Sequence, residues 1–338
     1  MPRLAIVGLG LIGGSLGLAL KRANLKGLEI VGFDLEYGTG GRARRKGVID
    51  VESRSLAGVG EGAAVIVVAT PIAQIKRVFE EIAPNLAEGA VVTDTASTKR
   101  DVMRWAKELL PERVSFVGGH PIAGKETSGL DAADASLFEG RPWAVVPTVH
   151  ASQGAVNAVE NMIELVGARP VLVDAEEHDS YLAAISHLPL VAAAALFSLA
   201  KDSQAWNDLG LLAGPGFRDT TRLASTNPAL GHDIALTNRE NMLHWIDRYI
   251  EELRRYRTLV ADETQEDLYK TLLKVQIDRD EFLQKPPERE RPSSNVDSPS
   301  AGDRMLSFMM GEYFVKRTKD IERLMEQRSA DDPQKRGR

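Results

Sequence analysis

Three glycines near the start of the chain have the spacing of a phosphate-binding turn. Gly8, Gly10 and Gly13 follow a short apolar run typical of a β-strand and precede an Ala/Leu-rich run typical of a helix. Gly8 permits the tight turn, Gly10 lets a phosphate approach the backbone because it has no Cβ, and Gly13 lets the helix pack closely on the strand. The free N–H groups of that helix would face the phosphates of a dinucleotide. An ordinary glycine turn in an α/β protein is the alternative.

A carboxylate follows the next apolar run. Asp34 stands 21 residues after Gly13, where it can accept hydrogen bonds from the adenine ribose. Its charge would repel a 2′-phosphate, and Glu36 adds to that repulsion, so the pattern favours NAD over NADP. Three arginines would favour the 2′-phosphate of NADP, but they come eight or more residues after Asp34. They are Arg42, Arg44 and Arg45.

Two histidines lie in informative segments. His120 directly follows Gly118-Gly119, behind an apolar run, where an imidazole can take a proton from a substrate hydroxyl while hydride leaves the same carbon. A structural loop histidine is the alternative there. His187 lies in Ser186-His187-Leu188-Pro189, where the proline should kink a helix and free a carbonyl. A core histidine bonded to that carbonyl is favoured at this position.

Residues 214–224 place two arginines, an aspartate and two threonines beside a glycine turn. A guanidinium group suits bidentate capture of a carboxylate, and Asp219 can hold either Arg218 or Arg222 in place. A surface cluster of ion pairs at the start of a helix is the alternative.

Strand-like apolar runs alternate with helical patterns as far as about Asp174. This alternation predicts a parallel, doubly wound sheet with helices on both faces. Ligands bind outside the carboxyl ends of the strands in such sheets, so Thr70, Ser97 and His120 should face one crevice. Beyond the first two runs, the strand-like runs are 64–69, 90–93, 114–117, 144–147 and 170–173, and the helical patterns are 72–82, 98–110 and 153–166.

After Asp174 the pattern predicts an all-helical domain, with helices over 175–200, 232–261 and 263–284. Its apolar residues are numerous for a small isolated bundle, and a homodimer interface would bury them. A larger monomeric core is the alternative. The stretch 188–200 is too short to span a bilayer and is expected to be a buried core helix. The apolar residues are Leu188, Leu190, Val191, Leu196, Phe197, Met242, Trp245, Ile246 and Tyr249.

The domain organisation follows from these patterns. A dinucleotide-binding domain is predicted over 1–174 and the helical substrate and dimerisation domain over 175–285. Residues 286–302 are too polar and proline-rich to order themselves and are predicted to form a flexible linker. A last helix over 303–328 and a disordered end over 329–338 complete the prediction.

Composition excludes several classes of protein. The formal net charge of the 338 residues is −6, so neither nucleic acid nor an anionic membrane is expected as a partner. The chain has no cysteine, which excludes disulfides and thiolate metal sites. No signal peptide precedes the first strand, which favours a cytoplasmic location.

Four segments together resemble one family, the prephenate/arogenate dehydrogenases of tyrosine biosynthesis. The glycine motif is shared by many dehydrogenases, whereas the His-Pro-Ile-Ala-Gly and Phe-Arg-Asp-Thr-Thr-Arg motifs are much more specific. The resemblance covers about residues 3–284, and Ser186-His187-Leu188-Pro189 also fits it. The four segments are 8–16, 93–99, 118–129 and 216–224.

The resemblance implies a Rossmann domain with NAD, followed by a helical domain. In this family NAD takes hydride from the ring carbon that bears the 4-hydroxyl of prephenate or arogenate, and the ring carboxylate leaves as CO2. His120 would accept the hydroxyl proton, Arg222 would bind a substrate carboxylate, and Ser97 would hold the hydroxyl, the imidazole or the nicotinamide unless it only caps a helix. No metal is implied, because the hydride acceptor is the cofactor. The remaining implied site residues are Glu126 as a gating carboxylate, Ser186, His187, Asp219 and Gly216 at the substrate, and Leu11, Ile12, Thr70 and Pro71 at the cofactor, beside Gly8, Gly10, Gly13 and Asp34.

Two positions depart from the family pattern. Leu190 stands where the family often has a histidine that helps to hold a substrate carboxylate, and Gly231 stands where it often has a tryptophan. One such charged hydrogen bond is worth about 1.5–3 kcal/mol. The preference between prephenate and arogenate therefore stays open, and so does feedback by tyrosine. The residues after Lys285 are too few and too polar for a regulatory domain.

Two other function classes compete with this reading. Two-domain dehydrogenases of the β-hydroxyacid type use a lysine of the helical domain as acid and base, and the sequence offers no clear candidate. A non-catalytic NAD-binding scaffold would not need Ser97, His120 and Arg222, all of which are intact.

Overall fold

The first half of the chain forms one sheet. The computed structural model describes residues 2–25, 27–125 and 127–287. Within that part, eight strands lie side by side in the order β3-β2-β1-β4-β5-β6-β7-β8. They are β1 (Arg3–Val7), β2 (Glu29–Phe33), β3 (Val51–Glu52), β4 (Ala63–Val68), β5 (Val91–Asp94), β6 (Ser115–Pro121), β7 (Pro142–Pro147) and β8 (Arg169–Leu172).

The parallel part of the sheet runs from β3 to β6, as the alternating pattern predicted. A uniformly parallel sheet was wrong at one place, because β7 pairs antiparallel with β6 and parallel with β8. In the described residues of the connection from β6 to β7, 122–125 and 127–141, there is one short 3₁₀ turn, Leu130–Ala132, and no crossover helix. Without a helical crossover, β7 returns alongside β6 in the opposite direction.

Helices cover both faces of the sheet. They are α1 (Leu11–Arg22), α2 (Thr39–Arg45), α3 (Ile72–Ile82), α4 (Arg100–Leu109) and α5 (Gln153–Leu165). Because successive strand residues point to opposite faces, Leu4 and Ile6 enter one buried cluster, while Ala5 and Val7 enter the other. Burial on both faces explains the nearly continuous Val/Ile runs of the strands. The sequence prediction missed α2 and β3, which are short.

Seven helices follow β8 in the described part. They are α6 (Ala175–Leu182), α7 (Leu188–Lys201), α8 (Trp206–Leu211), α9 (Pro215–Thr221), α10 (Pro228–Thr237), α11 (Arg239–Ala261) and α12 (Glu266–Gln284). The helix predicted over 232–261 is divided at Asn238, which has a non-helical backbone. Helix α10 packs against α3, and this contact joins the helical part to the sheet.

The helix predicted over 175–200 is confirmed, but its stretch 188–200 is not buried as expected. Helix α6, a π-helical turn (Ala183–His187) and α7 run on as one helix, Ala175–Lys201, in which the π-helical turn accommodates the N–H that Pro189 lacks. By length and composition alone this is one helix that could cross a membrane, and 22% of its most apolar window is buried. Its polar residues His178, Asp179 and His187 are buried, whereas Ala193 is the buried residue of α7.

The apolar residues of the helical part lie largely at its surface. Of the nine that the sequence predicted to be buried, only Met242 is buried in the single chain. Leu196, Phe197 and Tyr249 are exposed, and the described helix α12 has no buried residue. The described residues of the single chain therefore do not form the larger monomeric core that was the alternative to a dimer.

Several sequence predictions fall outside the described residues. These are Glu126, nearly all of the linker over 286–302, the helix over 303–328 and the polar end over 329–338.

Candidate active site

The glycine turn between β1 and α1 has the shape of a phosphate cradle. Gly8 has a φ of +91°, and a Cβ there would lie 2.6 Å from the carbonyl oxygen of Ala69. A Cβ on Gly13 would lie 1.9 Å from the carbonyl oxygen of Gly8, so helix and turn touch backbone to backbone. A Cβ on Gly10 would meet nothing within 4 Å, so open space lies over the start of α1. No side chain caps α1, and its first turn has no acidic residue, which leaves its N–H groups for an anion.

Asp34 lines the same cleft and is fixed by two backbone N–H groups. One carboxylate oxygen accepts the N–H of Leu9 at 2.7 Å, and the other accepts the N–H of Glu36 at 2.8 Å. Each oxygen keeps a further lone pair for a ribose hydroxyl. The cleft has a volume of about 320 Å³, and the hydroxyl of Thr70 beside it is buried without a partner in the described chain. Its lining includes Gly8, Gly10, Asp34, Glu36, Thr70 and Pro71. These groups fit an NAD molecule.

His120 lies at the carboxyl end of β6, the edge of the sheet to which the glycine turn also belongs. Its Nδ1 lies 2.9 Å from Nε2 of His178, and Nδ1 of His178 lies 2.8 Å from Oδ1 of Asp179. All three side chains are buried, and His120 retains 9% of its exposure. Three residues from β6 and α6 thus form one hydrogen-bonded chain.

This chain determines the tautomers of both histidines. A carboxylate only accepts, so Nδ1 of His178 donates to Asp179 and Nε2 of His178 accepts from Nδ1 of His120. The lone pair of His120 is then on Nε2, which has no protein partner among the described residues. The assignment follows from the network and gives His120 the form of a base.

The carboxylate of Asp179 is itself fixed by the start of α4. It accepts the backbone N–H of Lys99 at 2.7 Å and that of Arg100 at 2.9 Å. The side chain of Asn238 donates to the carbonyl of Asp179 at 2.7 Å and lies 3.2 Å from Nδ1 of His187. Asn238 is the residue that divides α10 from α11, so the break in the helix serves the network.

Burial keeps two of these imidazoles neutral. Desolvation holds the pKa of His120 well below its usual value, and the neighbouring His178, Lys99 and His187 lower it further. Desolvation lowers the pKa of His187 to about 4, although the carboxylate of Asp179 opposes this shift. A neutral His187 cannot offer a positive charge to a substrate carboxylate near pH 7.

The other predicted site residues lie in two groups. Ser97 is half-buried between β5 and α4, but Lys99 and not Ser97 is the residue before α4, so the helix-cap alternative for Ser97 was wrong. Arg222, Asp219 and Gly216 are exposed, on α9 and the 3₁₀ turn that follows it, and this turn packs against α7. Ser186 is exposed one residue before the buried His187. Nε2 of His187 has no hydrogen-bond partner among the described residues, so it does not donate to the carbonyl that the proline was expected to free.

Sequence reasoning missed His178, Asp179, Lys99 and Asn238. The signal for the first two was weak, a His-Asp pair in a charged helix. His120 and His178 are 58 residues apart, and only the fold brings them together. No group of three or more His, Asp or Glu side chains in the described chain is arranged to hold a metal ion.

The open glycine turn, the carboxylate of Asp34 and the neutral imidazole of His120 lie at the same edge of the sheet, an arrangement typical of nicotinamide-dependent dehydrogenases. Residues 16–172 match the family model described as the nucleotide-binding domain of prephenate dehydrogenase, and residues 174–274 match the one described as its dimerization domain. The chain belongs to the prephenate dehydrogenase family, whose members are NAD-dependent oxidoreductases.

Named relatives and solved structures agree with this assignment. The chain is 38% identical over 268 residues to a prephenate dehydrogenase of Bacillus subtilis, which is 78% of this chain and 72% of the relative. A prephenate dehydrogenase from Aquifex aeolicus, solved with hydroxyphenyl propionate and NAD+, has a TM-score of 0.78 at 32% identity over 83% of this chain and 98% of its own. An arogenate dehydrogenase from Synechocystis has a TM-score of 0.71 at 32% identity over 83% of this chain and 99% of its own.

The two departures from the family pattern are neighbours. A Cβ on Gly231 of α10 would lie 3.5 Å from Cδ2 of Leu190 on α7. The two positions therefore adjoin each other between α7 and α10.

Proposed function

We propose that this chain catalyses the NAD-dependent oxidative decarboxylation of prephenate to 4-hydroxyphenylpyruvate in tyrosine biosynthesis. Arogenate, which would give tyrosine, is the second candidate substrate, because both kinds of enzyme occur among the similar structures. The observation that carries the proposal is the Asp179–His178–His120 chain, which ends in a neutral imidazole at the edge of the sheet where the glycine turn lies. A cytoplasmic location belongs to the same proposal.

Bound NAD+ would accept hydride from the ring carbon that carries the 4-hydroxyl. Nε2 of His120 would accept the proton of that hydroxyl, and the hydrogen bond from its Nδ1 to His178 would stabilise the imidazolium that forms. The bond between the ring and its carboxylate then breaks, its electron pair enters the ring, and CO2 leaves. Because aromatisation drives the reaction, the chain's main tasks are to orient the substrate and to take the proton.

The remaining roles rest on the family motifs. Arg222 would bind a substrate carboxylate through its guanidinium, with Asp219, Gly216 and Ser186 beside it. Ser97 would hold the reacting hydroxyl or the nicotinamide, and Glu126 would gate the site. The glycine turn with Leu11 and Ile12 would hold the phosphates, Asp34 the ribose, and Thr70 and Pro71 the neighbouring part of the cofactor. We also propose the division at Asp174 into a cofactor domain and a helical domain.

A side-by-side assay of NADH formation tests the function. Prephenate and arogenate are each mixed with NAD+ and the purified chain, and the absorbance of NADH and the aromatic product are followed. We expect NADH and 4-hydroxyphenylpyruvate in equal amounts from prephenate. Turnover of arogenate but not of prephenate would mean that arogenate is the substrate. Turnover of neither compound would overturn the proposal.

Replacing Asp34 should weaken the preference for NAD. In Asp34→Ser the charge that repels a 2′-phosphate is lost, while Arg42 stays nearby, 3.4 Å from Glu36. We expect the ratio of kcat/KM for NAD+ to kcat/KM for NADP+ to fall about tenfold, the factor that corresponds to about 1.4 kcal/mol. Asp34→Asn keeps an acceptor for the N–H of Leu9, so it distinguishes the effect of the lost charge from that of a disturbed fold. Asp208→Ser, on the helical part, is the control, and an unchanged ratio in both Asp34 variants would rule out this role.

We propose that the exposed apolar face of the helical part binds a second copy of this chain. The family model that matches 174–274 is described as a dimerization domain, and the apolar residues of α7, α8, α11 and α12 lie at the surface of the single chain. Burial of such a face is favourable at roughly 25 cal/mol per Å² of apolar surface.

Sedimentation velocity tests this interface. We expect the wild-type chain to sediment at twice the mass of one chain, and Leu199→Glu, at a side chain that is 76% exposed on α7, to shift it towards the monomer. Val149→Glu is the matched control, because Val149 is 94% exposed on the sheet domain. A wild-type monomer at micromolar concentration would contradict the proposal.

A further inference from the structure

A buried ion pair lies directly behind the active-site strand. The side chains of Asp94, at the end of β5, and Lys99, just before α4, are both fully buried, and the ammonium of Lys99 donates to Oδ2 of Asp94. The function proposed above gives neither residue a task. Burial of two charges costs much of the energy that their attraction returns, so such a pair is weak support for stability alone.

The pair holds both backbone polar groups of Gly119, the residue before His120. Oδ1 of Asp94 accepts the N–H of Gly119 at 3.1 Å, and Nζ of Lys99 donates to its carbonyl oxygen at 2.7 Å. A Cβ on Gly119 would lie 2.5 Å from the carbonyl oxygen of Asp94, so the two strands approach as closely as glycine allows. Gly119, the residue from which the chain continues to His120, is thus held at its N–H, at its C=O and by direct contact.

The same turn also controls the ring of His120. The backbone N–H of Lys99 donates to the carboxylate of Asp179, and the same carboxylate accepts from His178, which in turn orients the imidazole of His120. The segment 94–100 therefore acts on His120 in two ways. The carboxylate of Asp94 fixes the backbone of the preceding residue, and the carboxylate of Asp179, which this segment holds, orients the imidazole through His178.

The charged and titratable groups around His120 come from four elements. They are His178 and Asp179 on α6, His187 on the π-helical turn, Asp94 at the end of β5, and Lys99 on the turn before α4. The ammonium of Lys99 disfavours a proton on His120 and so helps to keep it in the basic form.

We propose that the Asp94–Lys99 pair positions His120. It fixes the backbone of Gly119 at both its N–H and its C=O, so that the imidazole of His120 is held in place for proton transfer. Both residues act through His120 and neither touches substrate. The inference rests on the proposed function, because it assigns His120 the role of base in that reaction.

The test compares Lys99→Met with the double variant Asp94→Asn/Lys99→Met. The single variant leaves a buried carboxylate unpaired and is prone to unfold, whereas the double variant removes both charges at similar volume. Lys21→Met is the matched control, because Lys21 pairs with Asp50 and Asp50 also accepts a strand N–H, that of Ile30 at 2.8 Å, far along the sheet from His120. Active sites are counted by NAD+ binding, so that kcat refers to folded protein.

Positioning predicts that kcat per folded site falls about tenfold or more in both variants, while KM for substrate and the Kd for NAD+ stay within about twofold. In Lys99→Met the loss of the positive charge raises the pKa of His120, so the acidic limb of the pH profile moves to higher pH. Lys21→Met should keep the wild-type kcat, and the acidic limb of its pH profile should lie at the same pH as in the wild type. A variant with a lower Tm but wild-type kcat per folded site and an unmoved limb would overturn the proposal.

A failure of the proposed function is distinguishable. If the wild type forms no NADH from prephenate or arogenate, the reaction is wrong, and the pKa of His120 is then measured by NMR in the wild type and in folded Lys99→Met. A raised pKa in the variant supports the contact of Lys99 with the His120 segment, and an unchanged pKa overturns it.

Discussion

In His120→Asn we expect kcat to fall by about 10²–10⁴-fold, the range for loss of a general base, while the Kd for NAD+ stays near the wild-type value. Asparagine can still meet Nε2 of His178 with its amide N–H, so the buried network keeps a partner. It cannot take the proton of the substrate hydroxyl at neutral pH. Turnover is measured by NADH formation at saturating prephenate and NAD+.

His232→Asn is the matched control for this substitution. His232 lies on α10, its side chain is exposed, and it has no part in the His120 network. It should turn over like the wild type. If His120→Asn kept a comparable kcat, another group would have to accept the proton, and the central assignment would be wrong.

Arg222→Gln should act on substrate binding rather than on the chemical step. A hydrogen bond between a guanidinium and a carboxylate is worth about 1.5–3 kcal/mol, so KM for prephenate should rise about 10- to 150-fold with a much smaller change in kcat. Arg222→Lys keeps the charge but loses the bidentate geometry, so its KM for prephenate should lie between those of the wild type and Arg222→Gln. Steady-state kinetics over a wide range of prephenate concentration provide the measurement.

Arg218→Gln provides the comparison, because Arg218 is exposed on α9, one turn before Arg222. A rise in KM at Arg218 and none at Arg222 would exchange their roles. Equal, small effects at both would mean that a different cation holds the carboxylate.

Much of the fold could be predicted because local pattern and tertiary structure agree in the sheet. Continuous Val/Ile runs gave the main strands, and the helix over Ile72–Ile82 has the predicted bounds. The antiparallel β7 could not be predicted, because strand direction depends on the connection, and 122–141 carries no helical or hairpin pattern. The helix predicted over 175–200 is present as Ala175–Lys201, but the carbonyl that Pro189 was expected to free for His187 was not found, because a π-helical turn accommodates the proline.

The residues of the candidate active site also differ in how far the sequence could predict them. Gly8, Gly10, Gly13 and Asp34 belong to one short supersecondary unit, so their spacing in the sequence fixes their spacing in space. The partners of His120 come from α6 and from the turn before α4, and no local pattern relates them to β6. Their burial is also a tertiary property: nothing in the neighbourhood of Lys99 in the sequence shows that its side chain is fully buried.

The most direct measurement is a crystal structure of the chain with NAD+ and 4-hydroxyphenylpyruvate. We expect Nε2 of His120 at a hydrogen-bonding distance of about 2.6–3.2 Å from the product hydroxyl, with the nicotinamide against the ring carbon that bears this hydroxyl. A product hydroxyl that contacts another side chain, with His120 turned away from the nicotinamide, would contradict it.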